Sequence, residues 1–466
     1  MSAVLLIAIP LIAAFISILN KKTAPYILLG VTLFNILSLP FYDLGQITIG
    51  GFEAPYGISL ILDSYSILAL YVVNIAFLIV IVTSTDKVKK VATVLLVALA
   101  GLNGLLLTGD LFNLFVFIEV SGIAAYLIST TNKKYLETFN YLVIGVVGSS
   151  LYLLGLIILY AMTGTLNMVD VGVQITALNI SATDLAFPFL LMFIGLGVEA
   201  KLLPFNAWVK GILGNSNKLV GPMIASVYAG AIGFVFGRVI SSVFVISDEL
   251  EIILSVILIV GIIAGEAMAF ASSKMREVLL YSSIAQASLV IMLFVVGVTG
   301  WATMMLVANV VTKFILFAIA THTSDELKTD ELDDLEGIFI NNKVIGVSFT
   351  IAALSISGLP LFFGFVVKMN MLTDVFAGDG RLFAAVILIT SVVEGVYFVR
   401  MLIKLWYTEK DTTPTINYSF KLKYIVVVLA ALLIVFGVYT TPVEDYVEDE
   451  LYPLLVEEGG INNEYC

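Results

Sequence analysis

Fourteen long apolar runs, separated by short polar stretches, constrain this chain more than any other feature of its sequence. They fall at 2–19, 26–41, 65–84, 91–108, 112–130, 138–162, 185–209, 220–246, 251–271, 278–299, 301–321, 344–373, 384–407 and 423–440. A helix needs about 20 mostly apolar residues to cross the hydrocarbon core of a bilayer, and an open strand there would leave its backbone polar groups unpaired. The runs therefore predict an all-α polytopic membrane protein with about fourteen transmembrane helices. Composition agrees, since 60% of the 466 residues are hydrophobic and 12% charged, about half the charge of a soluble domain. The start, MSAVLLIAIP, has no basic segment and no small-residue cleavage site, so it reads as a retained first span. The single cysteine, Cys466, excludes a disulfide framework or a cysteine-ligated cluster, and the single histidine, His322, excludes a multi-histidine metal or haem site. No cofactor and no nucleic-acid partner are expected, and no redox chemistry can be placed within the chain.

The basic residues orient the spans. Loops of odd number hold 17 Lys and Arg, among them Lys21, Lys87, Lys133, Lys218, Lys274, Arg276 and Lys404, whereas the even loops hold only Arg381. The positive-inside rule places the odd loops in the cytoplasm and both termini outside, in agreement with an even number of spans. The acidic tail (Glu444, Asp445, Glu448, Asp449, Glu450, Glu457, Glu458 and Glu464) then lies outside and is expected to be a solvated end. The cytoplasmic loop Ser324 to Gly337, SDELKTDELDDLEG, is acidic on the positive side and is expected to be solvated, with a soluble partner as the other reading.

Five of the 23 basic residues remain inside spans: Lys201, Arg238, Lys313, Lys368 and Arg400. The two arginines lie towards span ends and are expected to snorkel as anchors. The three lysines are deeper, and each costs at least about 3 kcal/mol at the bilayer centre unless it meets water or a partner. Glu119, Glu199, Glu266 and Glu394 pose the same problem. Buried lysines and carboxylates both shift towards physiological pH, and a neighbouring opposite charge reverses the shift, so a series of such groups has the makings of a proton relay. Structural pairing is the alternative. His322, nine residues after Lys313, is either a proton-uptake relay or an interfacial residue.

Two spans carry helix breakers. Pro204 follows Lys201, and SGLPLFFGFVVK places Gly358 and Pro360 before Lys368. Interrupted spans in corresponding positions mark repeats with broken helices around a midplane site. The expected division is 1–90, three helices and an external loop; 91–246, the first repeat (spans 4 to 8); 251–407, the second (spans 9 to 13); and 423–466, the last helix and tail. An odd offset of five spans makes the two five-helix repeats inverted.

At these residues the chain resembles, over nearly its whole length, the antiporter-like family shared by Mrp-type cation/proton antiporters, the proton-pumping subunits of respiratory complex I and energy-converting hydrogenases. GGFEAPYGISLILDSYS resembles the segment before the third span, LFNLFVFIEVSGIAAYLI carries Glu119 at the family's fifth-span glutamate, and TGTLNM is similar to D-type Mrp subunits. REVLLYSSIAQ resembles K-R-x-x-A-Y-S-S-x-x-H, NVVTKFILF places Lys313 on the central lysine, and SGLPLFFGFVVK places Lys368 on the terminal one. The resemblance implies a hydrated mid-membrane axis in which Glu119 pairs with the seventh-span lysine, Lys313 is the centre and Lys368 the exit towards the outside.

The departures are specific. Glu199 holds the place five before the proline where the family has its lysine, and Lys201 stands three before it. Two residues turn a helix by about 200°, so Lys201 reaches the axis only if the break redirects it. The eighth-span base is replaced by Gly230 or Gly233, and Asn206, Gln286 and Asn309 stand where family histidines are frequent. The sequence thus points to an ion-translocating subunit of a multisubunit membrane complex, moving protons or exchanging them for Na⁺ across the plasma membrane, with other membrane subunits as partners and any energy source supplied by them. The alternative is a structural subunit whose N-terminal half no longer conducts.

Overall fold

The computed structural model describes residues 2–451 except 53, 245, 379 and 410–412. Cys466 and the tail residues Glu457, Glu458 and Glu464 lie outside the described residues, as does Lys410.

The chain is helical nearly throughout. The first crossings are α1 (Leu5–Leu19) and α2 (Ala24–Ser38). An antiparallel hairpin follows, β1 (Gly45–Thr48) against β2 (Ser59–Leu62), with Gly45 opposite Leu62. Then come α3 (Ser64–Thr83), α4 (Thr85–Leu107), α5 (Leu111–Ser129), α6 (Tyr135–Thr163), the short α7 (Met168–Ala177), α8 (Ala182–Glu199), α9 (Ala207–Leu213) and α10 (Val220–Ser242). The second half holds α11 (Asp248–Ala271), α12 (Met275–Val295), α13 (Thr299–Leu327), α14 (Lys343–Ile356), α15 (Phe363–Ala377), α16 (Arg381–Trp406), α17 (Phe420–Val438) and α18 (Thr441–Tyr446). Among the described residues twelve helices are long and apolar enough to cross a membrane. The other two expected crossings correspond to the shorter α1 and to the pair α14 and α15, which share one apolar run.

Burial sorts the helices into a centre and a rim. In the most apolar 18 residues of each helix, about nine-tenths of the positions are buried in α10, α12 and α13, against about two-fifths in α6, α11 and α16. The rim turns large side chains outward, such as Phe139, Val146, Ile252, Val256, Val392 and Val396, the surface a bilayer or a neighbouring subunit covers. α6 and α8 approach closely through small residues, and a Cβ on Gly195 would lie 2.6 Å from the Gly148 carbonyl oxygen. α7 is an element absent from the apolar pattern. It starts at TGTLNM, where the Asn167 side chain caps the amides of Val169 and Asp170 and donates to Ser59 Oγ at 2.7 Å.

The acidic loop and the described start of the tail, both expected to be solvated, are held down. In the acidic loop Asp330 pairs with Arg276 at 3.1 Å and accepts from Ser324 Oγ at 2.7 Å, Glu331 reaches Lys274, and Asp333 pairs with Lys404. The loop is acidic because it clasps the basic helix ends around it, so the solvated reading is corrected. The start of the tail also docks: Val447 and Leu451 are fully buried, Ser64 Oγ donates to Glu450 at 2.6 Å, and Tyr446 donates to the Ser64 carbonyl.

Candidate ion-translocation site

The first break ends α8 in a hydrogen-bonded hook. Lys201 N–H donates to the Val198 carbonyl and Leu202 N–H to the Gly197 carbonyl, with Lys201 in the left-handed region at φ 67°. This is the Schellman ending of a helix, whose left-handed position glycine usually takes. The second break repeats it: Gly358 at φ 76° donates to Ser355 and Leu359 to Leu354. Lys201 therefore stands in the first hook where Gly358 stands in the second. A side chain there leaves the line of its helix, so the two-residue displacement of this lysine is answered by the backbone. Lys201 is 1% exposed, and its Nζ donates to Ser283 Oγ on α12 at 3.0 Å, within electrostatic range of Lys313.

Glu199, at the end of α8, goes elsewhere. It is half-buried, bonds the Tyr126 hydroxyl and feels the charge of Glu119 on α5. Tyr126 packs edge-on against Tyr141, which stacks on Trp208 at 4.0 Å; Trp208 Nε1 in turn donates to the Val198 carbonyl across the break. The Glu119–Lys201 pair implied by the family resemblance does not form among the described residues. Its place is taken by two carboxylates, Glu119 and Glu199, and a tyrosine.

Lys313 lies in the middle of α13, 5% exposed. It lines a cavity of about 30 Å³ with Ser226, Gly230, Gly233, Gln286 and Asn309, room for about two waters. Gly230 and Gly233, in the position of the missing base, let α10 come close: a Cβ on either would sit 2.5 Å or 2.2 Å from Val310 or Leu306 of α13. A second cavity, of about 10 Å³, is lined by Gln286, Asn309, Thr312, Ser355 and Lys368. Gln286 and Asn309 thus stand in the walls of both, between Lys313 and Lys368.

Lys368 sits in the first turns of α15, 6% exposed. Its Nζ pairs with Glu394 Oε2 on α16 at 2.7 Å and reaches Ser391 Oγ at 3.3 Å. Gln286 Nε2 donates to the other Glu394 oxygen at 2.8 Å and Ser282 Oγ approaches it at 3.4 Å. Gly358 is required twice: by its positive φ, and because a Cβ would lie 2.7 Å from Lys368 Cδ. Pro360 and Pro204 fall in the non-helical links beyond the two hooks. Glu266 of α11, 4% exposed, lies against the Tyr397 hydroxyl and within electrostatic range of Glu394 and Lys368.

The remaining charges are off this line. His322 stacks on Tyr418, with ring centroids 5.1 Å apart, near Lys218 and Asp325 towards the C-terminal end of α13. Arg400, expected as an anchor, is exposed, lies over the Phe270 ring and donates to the Phe270 carbonyl. Arg238 does not snorkel. It is 8% exposed and grips Asp63 by two bonds of 2.6 and 2.8 Å; burial pushes the Asp63 carboxyl up, but the guanidinium prevails and holds it below the usual carboxylate range. Ser283, Tyr126 and Tyr397 are invisible to a count of charges, since a lone hydroxyl in an apolar helix gives no signal.

Comparison with known proteins identifies relatives of the whole chain. Residues 108–394 match the family described as the NADH:quinone oxidoreductase/Mrp antiporter transmembrane family. The chain is 28% identical to the D-type Na(+)/H(+) antiporter subunit of Bacillus subtilis over 98% of both chains. It is 32% identical to the N-type NADH-quinone oxidoreductase subunit of Desulforudis audaxviator, over 66% of this chain and 63% of that one. Among solved structures it is similar to a chain of the membrane-bound sulfane sulfur reductase, an archaeal respiratory membrane complex, with TM-score 0.87 and 28% identity over 96% of this chain and 99% of that one. A chain of the Mrp complex from Dietzia shares the fold, with TM-score 0.86 and 17% identity over 98% of both. The chain belongs to the NADH:quinone oxidoreductase/Mrp antiporter family of polytopic membrane subunits.

Proposed function

We propose that this chain carries protons across the plasma membrane along a mid-membrane axis, as one subunit of a larger membrane complex. The axis runs from the Glu119–Glu199 pair through Lys201 and Lys313 to Lys368 and Glu394, and Na⁺ exchange against protons is the form its antiporter relatives suggest. The observation that carries the reading is the pair of cavities sharing Gln286 and Asn309, because they bring water-sized spaces to both Lys313 and Lys368. Polar groups at this depth are retained where they meet water or each other. The positive-inside distribution supports a cytoplasmic basic face and external termini. Resemblance to chains of multisubunit complexes supports other membrane subunits as partners.

The test replaces Glu119 by Gln, and Lys201, Lys313 and Lys368 each by Ala, in the assembled complex in membrane vesicles. Loss of ion transport of at least about tenfold in the Lys313 and Lys368 variants is expected. Wild-type transport in all four would sink the reading. Loss confined to Lys313 and Lys368 would place conduction in the second half alone, the outcome favoured if two carboxylates without a base cannot relay.

A further inference from the structure

Glu266 is the buried charge that the axis leaves unused. With Glu394 and Lys368 it forms a cluster of two carboxylates and one ammonium, so full ionisation leaves one negative charge uncompensated. Glu266 Oε2 is buried without a donor in hydrogen-bonding geometry, a poor setting for an ionised carboxylate and a better one for a neutral acid. Its partners also have a direction. Counting about 1.5 Å per residue from the basic ends of α11, α12 and α16 (Ala271, Met275 and Trp406), Glu394 and Gln286 lie roughly 16–18 Å up. Ser282 and Tyr397 lie roughly 10–14 Å up and Glu266 about 8 Å. The Tyr397 hydroxyl lies near both Ser282 and Glu266 and, like Glu266 Oε2, is buried without a partner in hydrogen-bonding geometry, so the relay forms when the two unpaired groups close on each other. The groups therefore form a descending series from the Lys368–Glu394 pair towards the face of Lys274, Arg276 and Lys404.

We propose that Glu266 is a proton-carrying residue of a branch that joins the Lys368–Glu394 pair to the basic, cytoplasmic face through Tyr397 and Ser282. This rests on the axis reading and gives its terminal cluster a cytoplasmic connection independent of Lys313. A proton leaving Lys368 Nζ forms an O–H bond at Glu394 and leaves a neutral amine. Tyr397 and Ser282 accept it on oxygen while releasing their own O–H proton onward. Glu266, the neutral acid at rest, first releases its own O–H proton to the basic face and becomes a carboxylate; it then takes the arriving proton and is again the carboxylic acid, while Glu394 returns to the carboxylate. The charged and titratable groups around Glu266 are Glu394 and Tyr397 on α16, Lys368 on α15 and, one turn beyond Tyr397, Arg400, which is held at Phe270.

The experiment combines infrared titration with transport by the assembled complex in proteoliposomes. The wild type should show a carboxylic C=O band persisting at neutral pH, absent in Glu266→Gln and retained in Glu266→Asp. Transport should fall about tenfold in Glu266→Gln and recover in Glu266→Asp. Tyr397→Phe, which removes one oxygen and keeps the ring, should shift the band and slow transport even if Glu266→Gln fails to assemble. The proposal is overturned if the band survives in Glu266→Gln, if NaCl at fixed pH abolishes it in the wild type, or if Glu266→Gln or Tyr397→Phe transports normally. Lys313→Ala separates the two readings: wild-type transport there counts against the axis, whereas the band reports on Glu266 alone.

Discussion

Gly230 and Gly233 give the sharpest test of whether water replaces the missing base beside Lys313. The cavity there is about 30 Å³, and one water needs about 10–15 Å³ by the same measure. A methyl group at Gly233 would meet Leu306 Cδ2 at 2.2 Å, and one at Gly230 would meet Val310 Cγ2 at 2.5 Å. Both contacts are with side-chain tips, which can yield, and both side chains line the cavity. The yielding atoms therefore take water's place, and each added methyl removes about one water. A hydrogen bond to a charged group is worth about 1.5–3 kcal/mol, and about 1.4 kcal/mol is a factor of ten in rate. Gly233→Ala should slow transport about 10- to 100-fold, and the double change Gly230→Ala/Gly233→Ala at least as much, with the lysines untouched. The assay is ion flux into vesicles holding the complex, normalised to assembled subunit. Wild-type flux through an assembled double variant would remove this cavity from the route.

Three further substitutions probe the scaffold. Asp63→Asn leaves Arg238 buried without its counter-charge and should cost about 3 kcal/mol, read as faster thermal inactivation in detergent. Because the folded Asp63 carboxyl is held below its ordinary value, its contribution is present above about pH 4 and lost as pH falls through that value and below, so wild type and variant should converge in acid. Lys201→Gly relieves a left-handed non-glycine residue, worth about 1–2 kcal/mol, while deleting the amine; it should preserve thermal stability and reduce transport, and a normal rate would show that the amine is dispensable. Asp330→Asn weakens the clasp on Arg276 and Ser324, and faster amide exchange across 324–337 is expected; unchanged exchange would mean that Glu331 and Asp333 hold the loop alone.

How much of this is legible in the sequence depends on what each feature advertises. The spans are legible because lipid demands long apolar runs: among the described residues twelve of the fourteen runs coincide with a helix long enough to cross a membrane, and the other two with the shorter α1 and with the pair α14 and α15. The second break is equally plain, since Gly358 and Pro360 announce a left-handed residue and a missing donor. The helix α7 and the docking of the tail are not, because short amphipathic pieces resemble loops. The acidic loop reads as solvated because its partners Lys274, Arg276 and Lys404 are distant in sequence, and pairing of this kind belongs to tertiary structure.

The first break shows where reading by residue type fails and geometry takes over. A family pattern fixes the distance of a lysine from the proline, and by that measure Lys201 points away from the axis. Yet the hook that ends α8 is the one that ends α14, and it works with any residue that the surroundings hold at positive φ. Placing the lysine itself at that position turns its stem towards α12, where Ser283 receives the ammonium and Lys313 lies within electrostatic range. The vacated helical position then falls to Glu199, which turns to Tyr126 and Glu119. One two-residue shift therefore changes both ends of the first half-axis: it moves a base towards the centre and leaves an acid pair at the rim. The first half thus holds a second carboxylate beside Glu119 besides its lysine, which on the proposed axis gives the proton a different resting place, and Glu199→Lys tests this directly. With Lys201 kept, the change restores a base beside Glu119. If the acid pair is a resting place for the proton, flux should fall about tenfold or more as an ion pair locks the site; unchanged flux would mean that the pair lies off the route.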